Sequence, residues 1–277
     1  MRQVSGVAQL RTPRPDDLLW PGSSLLLTVE EVRQLWAFVH GDIMDGGIRT
    51  QLRASLGLCP RHTWVYAVVE IELWQDGAGV RAGHQPFDVT VLYQDLLDHV
   101  AVGLTRPRTL FRRYPESILT PSGPCRVCAE VVPPGNSGMR LGYAASNSAA
   151  LTDEANLLTW TQRWCVETAP IWRPLACPMC EADTRQMGHP IDEPGLLCRT
   201  HLMGLGRLSA DLREEVEARL RQLQKRMHRL NSSMTQYGAP ATPHDDASWV
   251  ETLGFFAGWG LPLHLADLTA HADERTI

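Results

Sequence analysis

Between Cys177 and His201 the chain carries four metal-ligating side chains in two matched pairs: Cys177-Pro-Met-Cys180, seventeen intervening residues, then Cys198-Arg-Thr-His201. Two ligands three positions apart can be aimed at one point by a single tight turn, so each pair is half of a tetrahedron. Three thiolates and one imidazole suit Zn2+, and a site with four protein ligands is closed, so it orders chain rather than activating water. A cluster of buried free thiols would account for cysteine burial but not for the spacing. Whatever fold surrounds this stretch must deliver both pairs to the same place.

The pattern has an echo. Leu58-Cys59-Pro-Arg-His62 resembles Leu197-Cys198-Arg-Thr-His201 at an offset of 139 residues, and Cys125 and Cys128 form a second Cys-x-x-Cys. These predict a second site of three cysteines and one histidine, built from Cys59, His62, Cys125 and Cys128, with 62 residues between its two pairs. The two sites use six of the seven cysteines and leave Cys165 over. Two Zn2+ ions are the expected cofactors. The rival at the first site is an iron–sulfur cluster with Cys165 in place of His62, because ligation by four cysteines is the usual cluster pattern.

Compartment follows from the same residues. The N-terminus, Met1-Arg-Gln-Val-Ser-Gly, lacks the apolar segment of a secretory signal, and no apolar run reaches the ~18 residues that mark a spanning helix. In a reducing cytoplasm, paired Cys-x-x-Cys and Cys-x-x-His read as metal ligands rather than disulfides. Lys225 is the only lysine among 26 basic residues, a bias expected of a bacterial, high-GC coding sequence. The net charge of −5 argues against a chain that wraps nucleic acid over its whole surface.

Periodicity predicts a mainly α fold in two pseudo-repeated halves, each with a site of three cysteines and one histidine. Residues 1–27 read as an irregular lead-in, 28–132 as the first half, 133–150 as a linker rich in Gly, Ser and Ala, and 151–277 as the second half. Thr28 and Glu31 form a capping-box pattern ahead of a helix over 29–40. A second helix is expected over 48–56. Trp64 to Trp74 is ambiguous: Trp64, Val68 and Ile71 suit a helix, whereas Val69-Glu-Ile-Glu-Leu73 alternates like a strand; helix is favoured because His62 would sit in its first turn. Further helices are expected over 87–104 with Asp88 as N-cap, from a cap at Thr152 through Trp164, over 209–234 from a cap at Ser209, and around Trp249–Trp259, with a frayed tail beyond Pro262. The 209–234 helix has a near-heptad seam of Leu212, Val216, Leu220, Leu223, Met227, Leu230 and Met234. That seam suits either self-association or packing against its own neighbours.

Other chemistry is sparse. Arg106, Arg108, Phe111, Arg112, Arg113 and Tyr114 interleave cations with aromatics, a pattern that suits phosphates and stacked bases and equally a solvated arginine-rich loop. His40, Asp42 and Asp45 could face a hard cation, or simply form a polar turn. His84 and Asp88 read as loop and cap, and His99 as a core histidine. No phosphate loop, nucleophile elbow or His-Glu-x-x-His is present, so catalytic residues remain unassigned. Three functions follow: a zinc-ordered scaffold that docks a partner, a nucleic-acid binder working through 106–114, and a metalloenzyme or redox sensor with an open or iron–sulfur site at Cys59, Cys125 and Cys128.

With its Cys-Pro-x-Cys and Gly-Leu-Cys-x-x-His elements, the chain resembles an uncharacterised bacterial group of helical proteins that repeat them. The resemblance covers Gly57–His62 and Cys177–His201. It implies metal binding on a helical scaffold and no particular activity. The chain departs from the pattern in having no Cys-x-x-Cys ahead of Cys59.

Overall fold

The computed structural model describes residues 26–39, 45–73, 86–105, 115–131, 148–185, 193–235 and 237–273. Among them all regular structure is helical. The organising element is α3 (Pro60–Leu73), in which every side chain from His62 to Leu73 is buried. A helix covered on all sides has no polar face, and its two glutamates therefore need partners inside the protein. Both find them at the starts of other helices. Glu70 accepts the backbone N–H groups of Asp88 and Val89 at 2.7 and 2.9 Å, closing the first turn of α4 (Phe87–Thr105). Glu72 accepts those of Trp160 and Thr161, the latter at 2.7 Å, and the Thr161 hydroxyl. The alternation of Val69-Glu-Ile-Glu-Leu73 is thus a helix with caps for two neighbours, not a strand.

This arrangement corrects two cap assignments. Asp88 lies inside α4, where Glu70 takes the cap role across space. Thr152 also lies inside a helix, α6 (Ser148–Ala155), and its hydroxyl donates to the Ser148 carbonyl. The chain breaks at Leu158, whose φ of 54° is left-handed, and restarts as α7 (Thr159–Trp172), where Leu158 supplies no side-chain cap. An acceptor from elsewhere in the fold, Glu72, takes two of the amides that this restart leaves open, those of Trp160 and Thr161.

Other starts follow the sequence. In α1 (Val29–Val39) Glu31 donates its N–H to Thr28 Oγ1 and accepts that of Thr28, completing the capping box. Asp45 caps α2 (Gly46–Ser55) by accepting from Ile48, so it is a turn residue; His40, Asp42 and His84 lie outside the described residues. Short helices α5 (Arg126–Val131), α8 (Pro178–Arg185) and α9 (Arg199–Gly204) carry the remaining ligand-type pairs. The long α10 (Ala210–Ser233) starts at Ser209 as expected, its hydroxyl accepting from Leu212.

The seam of α10 is used within the chain. Val216, Leu220, Leu223, Met227 and Leu230 are buried, and the helix packs along α4 and against α12 (Ser248–Ala257), itself buried throughout. A single turn, α11 (Pro243–Asp246), precedes α12. The element around Trp249–Trp259 is broken at Gly258, and the chain beyond Pro262 continues as α13 (Gly260–Asp273), packed on α7 and α8. One apolar core runs through both sides of the 133–150 segment, joining Trp64 to Trp249 and Tyr93 to Phe256 by edge contacts.

Burial of Glu70 has a pH consequence. Burial, reinforced by the nearby Asp88 charge, outweighs the amides that favour the ionised form and pushes its carboxyl up to about 8. The folded chain then keeps a proton that the unfolded chain releases above the ordinary 4.5. The stability this contributes is full below pH 4.5 and is lost as pH rises through about 8. Glu70→Gln keeps an acceptor for the α4 amides and removes the titration. Urea unfolding across this window should therefore show the wild type losing stability relative to Glu70→Gln as pH rises; parallel curves would refute the shift.

Candidate metal centres

Each of the four ligand-type pairs is built in the same way. The first member stands just before a helix and the second falls in its first turn. Cys59 precedes α3 and its carbonyl accepts the N–H of Thr63; Cys198 precedes α9 and accepts that of Leu202. Cys125 and Cys177 do the same for Ala129 and Glu181 at the starts of α5 and α8. Pro60 and Pro178 occupy first helical positions, where a missing N–H leaves nothing unsatisfied. The positive ends of two helices thus converge on each group of sulfurs, which favours thiolates.

The structure brings together the sets paired in the sequence. Cys59, His62, Cys125 and Cys128 form one group and Cys177, Cys180, Cys198 and His201 the other, with the ligand atoms of each within 4.8 Å of one another. In the first, His62 Nδ1 lies 3.2, 3.6 and 3.3 Å from the sulfurs of Cys59, Cys125 and Cys128. Cys59 and Cys128 Sγ are 3.7 Å apart. In the second, His201 Nδ1 lies 3.2, 3.6 and 3.3 Å from Cys177, Cys180 and Cys198, and Cys180 Sγ is 3.8 Å from Cys198 Sγ. These are not disulfide distances. With Zn–S near 2.3 Å and Zn–N near 2.0–2.1 Å, a regular tetrahedron sets sulfurs about 3.8 Å apart and a sulfur about 3.6 Å from a nitrogen. The sulfur pairs match those edges, and the nitrogen contacts fall at or slightly inside them.

The donors also call for a cation. Hydrogen bonds from Cys128 and Cys59 hold the Cys125 thiol far below the ordinary range, while those to Cys125 and Cys128 push Cys59 far above it. Cys177 is lowered and Cys180 raised likewise: burial opposes ionisation of Cys177, but hydrogen bonds from Cys180, Cys198 and His201 outweigh it, whereas hydrogen bonds to Cys177 and Cys198 lift Cys180. Burial disfavours charge on both imidazoles, yet the adjoining thiolates lift His62 to about 11 and His201 to about 10. A proton on each histidine then partly offsets the thiolate charge in the way a metal ion would, and a binding metal must displace it.

The two groups differ in their surroundings. Glu31, buried on α1, accepts from His62 Nε2 at 3.1 Å and from Arg61 Nε and Nη2 at 2.6 and 3.0 Å. Burial alone would raise its carboxyl, but hydrogen bonds from His62, Arg61 and Thr28 hold it well below the usual carboxylate range. A carboxylate on the far nitrogen fixes the ring so that Nδ1 faces the sulfurs. At His201 the corresponding oxygen, Asp183 Oδ2, is 3.7 Å from Nε2. Tyr93 steadies the approach to Cys59: its hydroxyl accepts from Leu58 N–H and pairs with the Thr63 hydroxyl at 2.6 Å. Gly57, at φ 88°, leaves room for that ring, since a Cβ there would lie 2.8 Å from the Tyr93 oxygen.

Residues invisible to motif reading tie the groups to the core. Arg199, inside the Cys198-x-x-His201 pair, is buried and donates to the carbonyls of Phe256 and Leu119. Gly258, with φ 81°, gives its carbonyl to the indole N–H of Trp64, two residues past His62. A Cβ on Gly258 would stand 3.7 Å from Cys180 Sγ, so this one turn touches the surroundings of both groups. Glu31 was legible as a cap, but nothing in the sequence marks it as the partner of His62, 31 positions on.

Cys165 belongs to neither group. It is fully buried on α7, where burial pushes its thiol up to about 12. His62, not Cys165, stands with Cys59, Cys125 and Cys128. His99 is half-buried beside a shallow cleft with Arg53, Asp95 and Asp98, rather than in the core. Arg106, Arg108, Phe111, Arg112, Arg113 and Tyr114 lie outside the described residues. Among the described residues no helix is long and apolar enough to cross a membrane.

No protein-family model matches the chain, and neither curated proteins nor solved structures give a significant match.

Proposed function

We propose that the chain is a zinc-ordered helical scaffold of a bacterial cytoplasm. Cys59, His62, Cys125 and Cys128 hold one Zn2+, and Cys177, Cys180, Cys198 and His201 a second. The observation that carries this is the fit of both donor sets to the edges of a zinc tetrahedron, with all four positions filled by protein. Bound there, each ion supplies folding energy and fixes helix starts that sequence separation would otherwise leave loose. The helices so fixed offer surfaces to a protein partner. Because the α10 seam is buried within the chain, a second copy docking through it is disfavoured, and a different protein is the better candidate.

Elemental analysis of the purified protein with its visible spectrum tests the reading. Two zinc per chain and no colour are expected. Iron with a brown chromophore would overturn it and put an enzyme or redox centre at the first group.

A further inference from the structure

We infer that the first group is a site of oxidative modification, with Cys128 the sulfur that a small peroxide meets first and Cys59 the one that closes on it. This rests on the proposal that both groups hold zinc. Its basis is an asymmetry between two otherwise equivalent donor sets. In the second group all three cysteines are buried, and the Gly258 turn lies against Cys180, where even a Cβ would stand 3.7 Å from the sulfur. In the first group Cys128 is exposed and Cys59 and Cys125 are half-buried, while the imidazole is sealed beneath them against Glu31. Oxidation of thiolates follows exposure and nucleophilicity, so a reagent of two oxygen atoms reaches the sulfurs of the first group before those of the second.

The partner sulfur is in place. Cys59 Sγ is 3.7 Å from Cys128 Sγ, a gap that a small side-chain movement reduces to a bond of ~2.05 Å. The Cys128 thiolate attacks one oxygen of hydrogen peroxide; an S–O bond forms, the O–O bond breaks, and hydroxide leaves. The Cys59 thiolate then attacks the Cys128 sulfur; an S–S bond forms, the S–O bond breaks, and a second hydroxide leaves. The two sulfurs give up two electrons, the peroxide takes them, and solvent protons convert both hydroxides to water. The first group is left with Cys125 and His62 and releases its ion, while the second keeps all four donors.

The test uses the full chain with its metal counted beforehand. One equivalent of peroxide is added in the presence of a zinc-binding dye, followed by peptide mapping of the cysteines. Release of one zinc per chain, a Cys59–Cys128 cross-link, reduced Cys177, Cys180 and Cys198, and reversal by dithiothreitol with added zinc are expected. Parallel release of both ions, a cross-link in the second group, or no release would overturn the inference while leaving the zinc reading intact. A starting count below two zinc would overturn both. Cys128→His keeps four donors without the exposed thiolate and should lose the peroxide response; release that persists in it would also count against the inference. The mapping of the unaltered chain decides the matter even if that variant binds zinc poorly.

Discussion

Cys180→Ala is expected to lose one metal ion per chain and, with it, the cooperative unfolding transition. The second group joins α8, of eight residues, to α9, of six. Helices below about 12–15 residues are marginal by themselves, so these two persist because something ties their starts together. A structural zinc contributes apparent folding free energy of roughly 10–16 kcal/mol. That matches or exceeds the roughly 5–15 kcal/mol of net stability of an ordinary domain. The damage should not stop at the second half. Arg199 leads from this group to the Leu119 carbonyl, and Gly258 leads to Trp64 on α3. Circular dichroism melting with metal analysis checks the expectation. A variant that keeps its melting temperature and both ions would refute a structural role for the group.

Glu251→Ala should cost about 3–5 kcal/mol, the usual penalty for removing one partner of a buried ion pair. Glu251 is fully buried on α12 with its side chain 2.5 Å from Arg226 Nη2 and 3.6 Å from Arg219 Nε. Both arginines project from α10 and are themselves mostly covered. Arg219 also donates to the carbonyls of Leu175, Gly195 and Leu197, the last of these adjoining Cys198. Truncation of Glu251 therefore leaves two cations unneutralised beside the second group. The candidate metal ligands are untouched, so metal content should hold while the urea midpoint falls. Glu251→Met combined with Arg226→Met should recover much of the loss, because apolar groups of similar size replace a buried pair at little net cost. A loss below about 1 kcal/mol for Glu251→Ala would mean that solvent reaches the pair.

How much of this was legible in the sequence depended on the range of the interaction. Cys-x-x-Cys and Cys-x-x-His are local patterns whose geometry is set by one helical turn, and all four were readable as written. So were the Thr28–Glu31 box, the Ser209 cap and the apolar seam of α10, each of which needs only spacing along one helix. What failed was local reasoning about ends. The start expected at Thr152 lies inside α6, because the true break at Leu158 is stabilised by Glu72, 89 positions from the Thr161 amide it accepts. Asp88 lost its cap role to Glu70 in the same way.

The sequence alone determined the helical class and the four Cys-x-x-Cys and Cys-x-x-His pairs; that His62 rather than Cys165 stands with Cys59, Cys125 and Cys128 came from the structure. The class and the pairs follow from residue type and short spacing, which survive any tertiary arrangement. Only the tertiary structure decided that Glu31 holds His62, that the Gly258 turn lies against Cys180, and that the first group's sulfurs reach solvent while the second group's are buried. Each of these depends on which distant element covers a side chain. Burial by distant elements leaves no period in a linear sequence, because it is fixed only when helices far apart in the chain pack into one core.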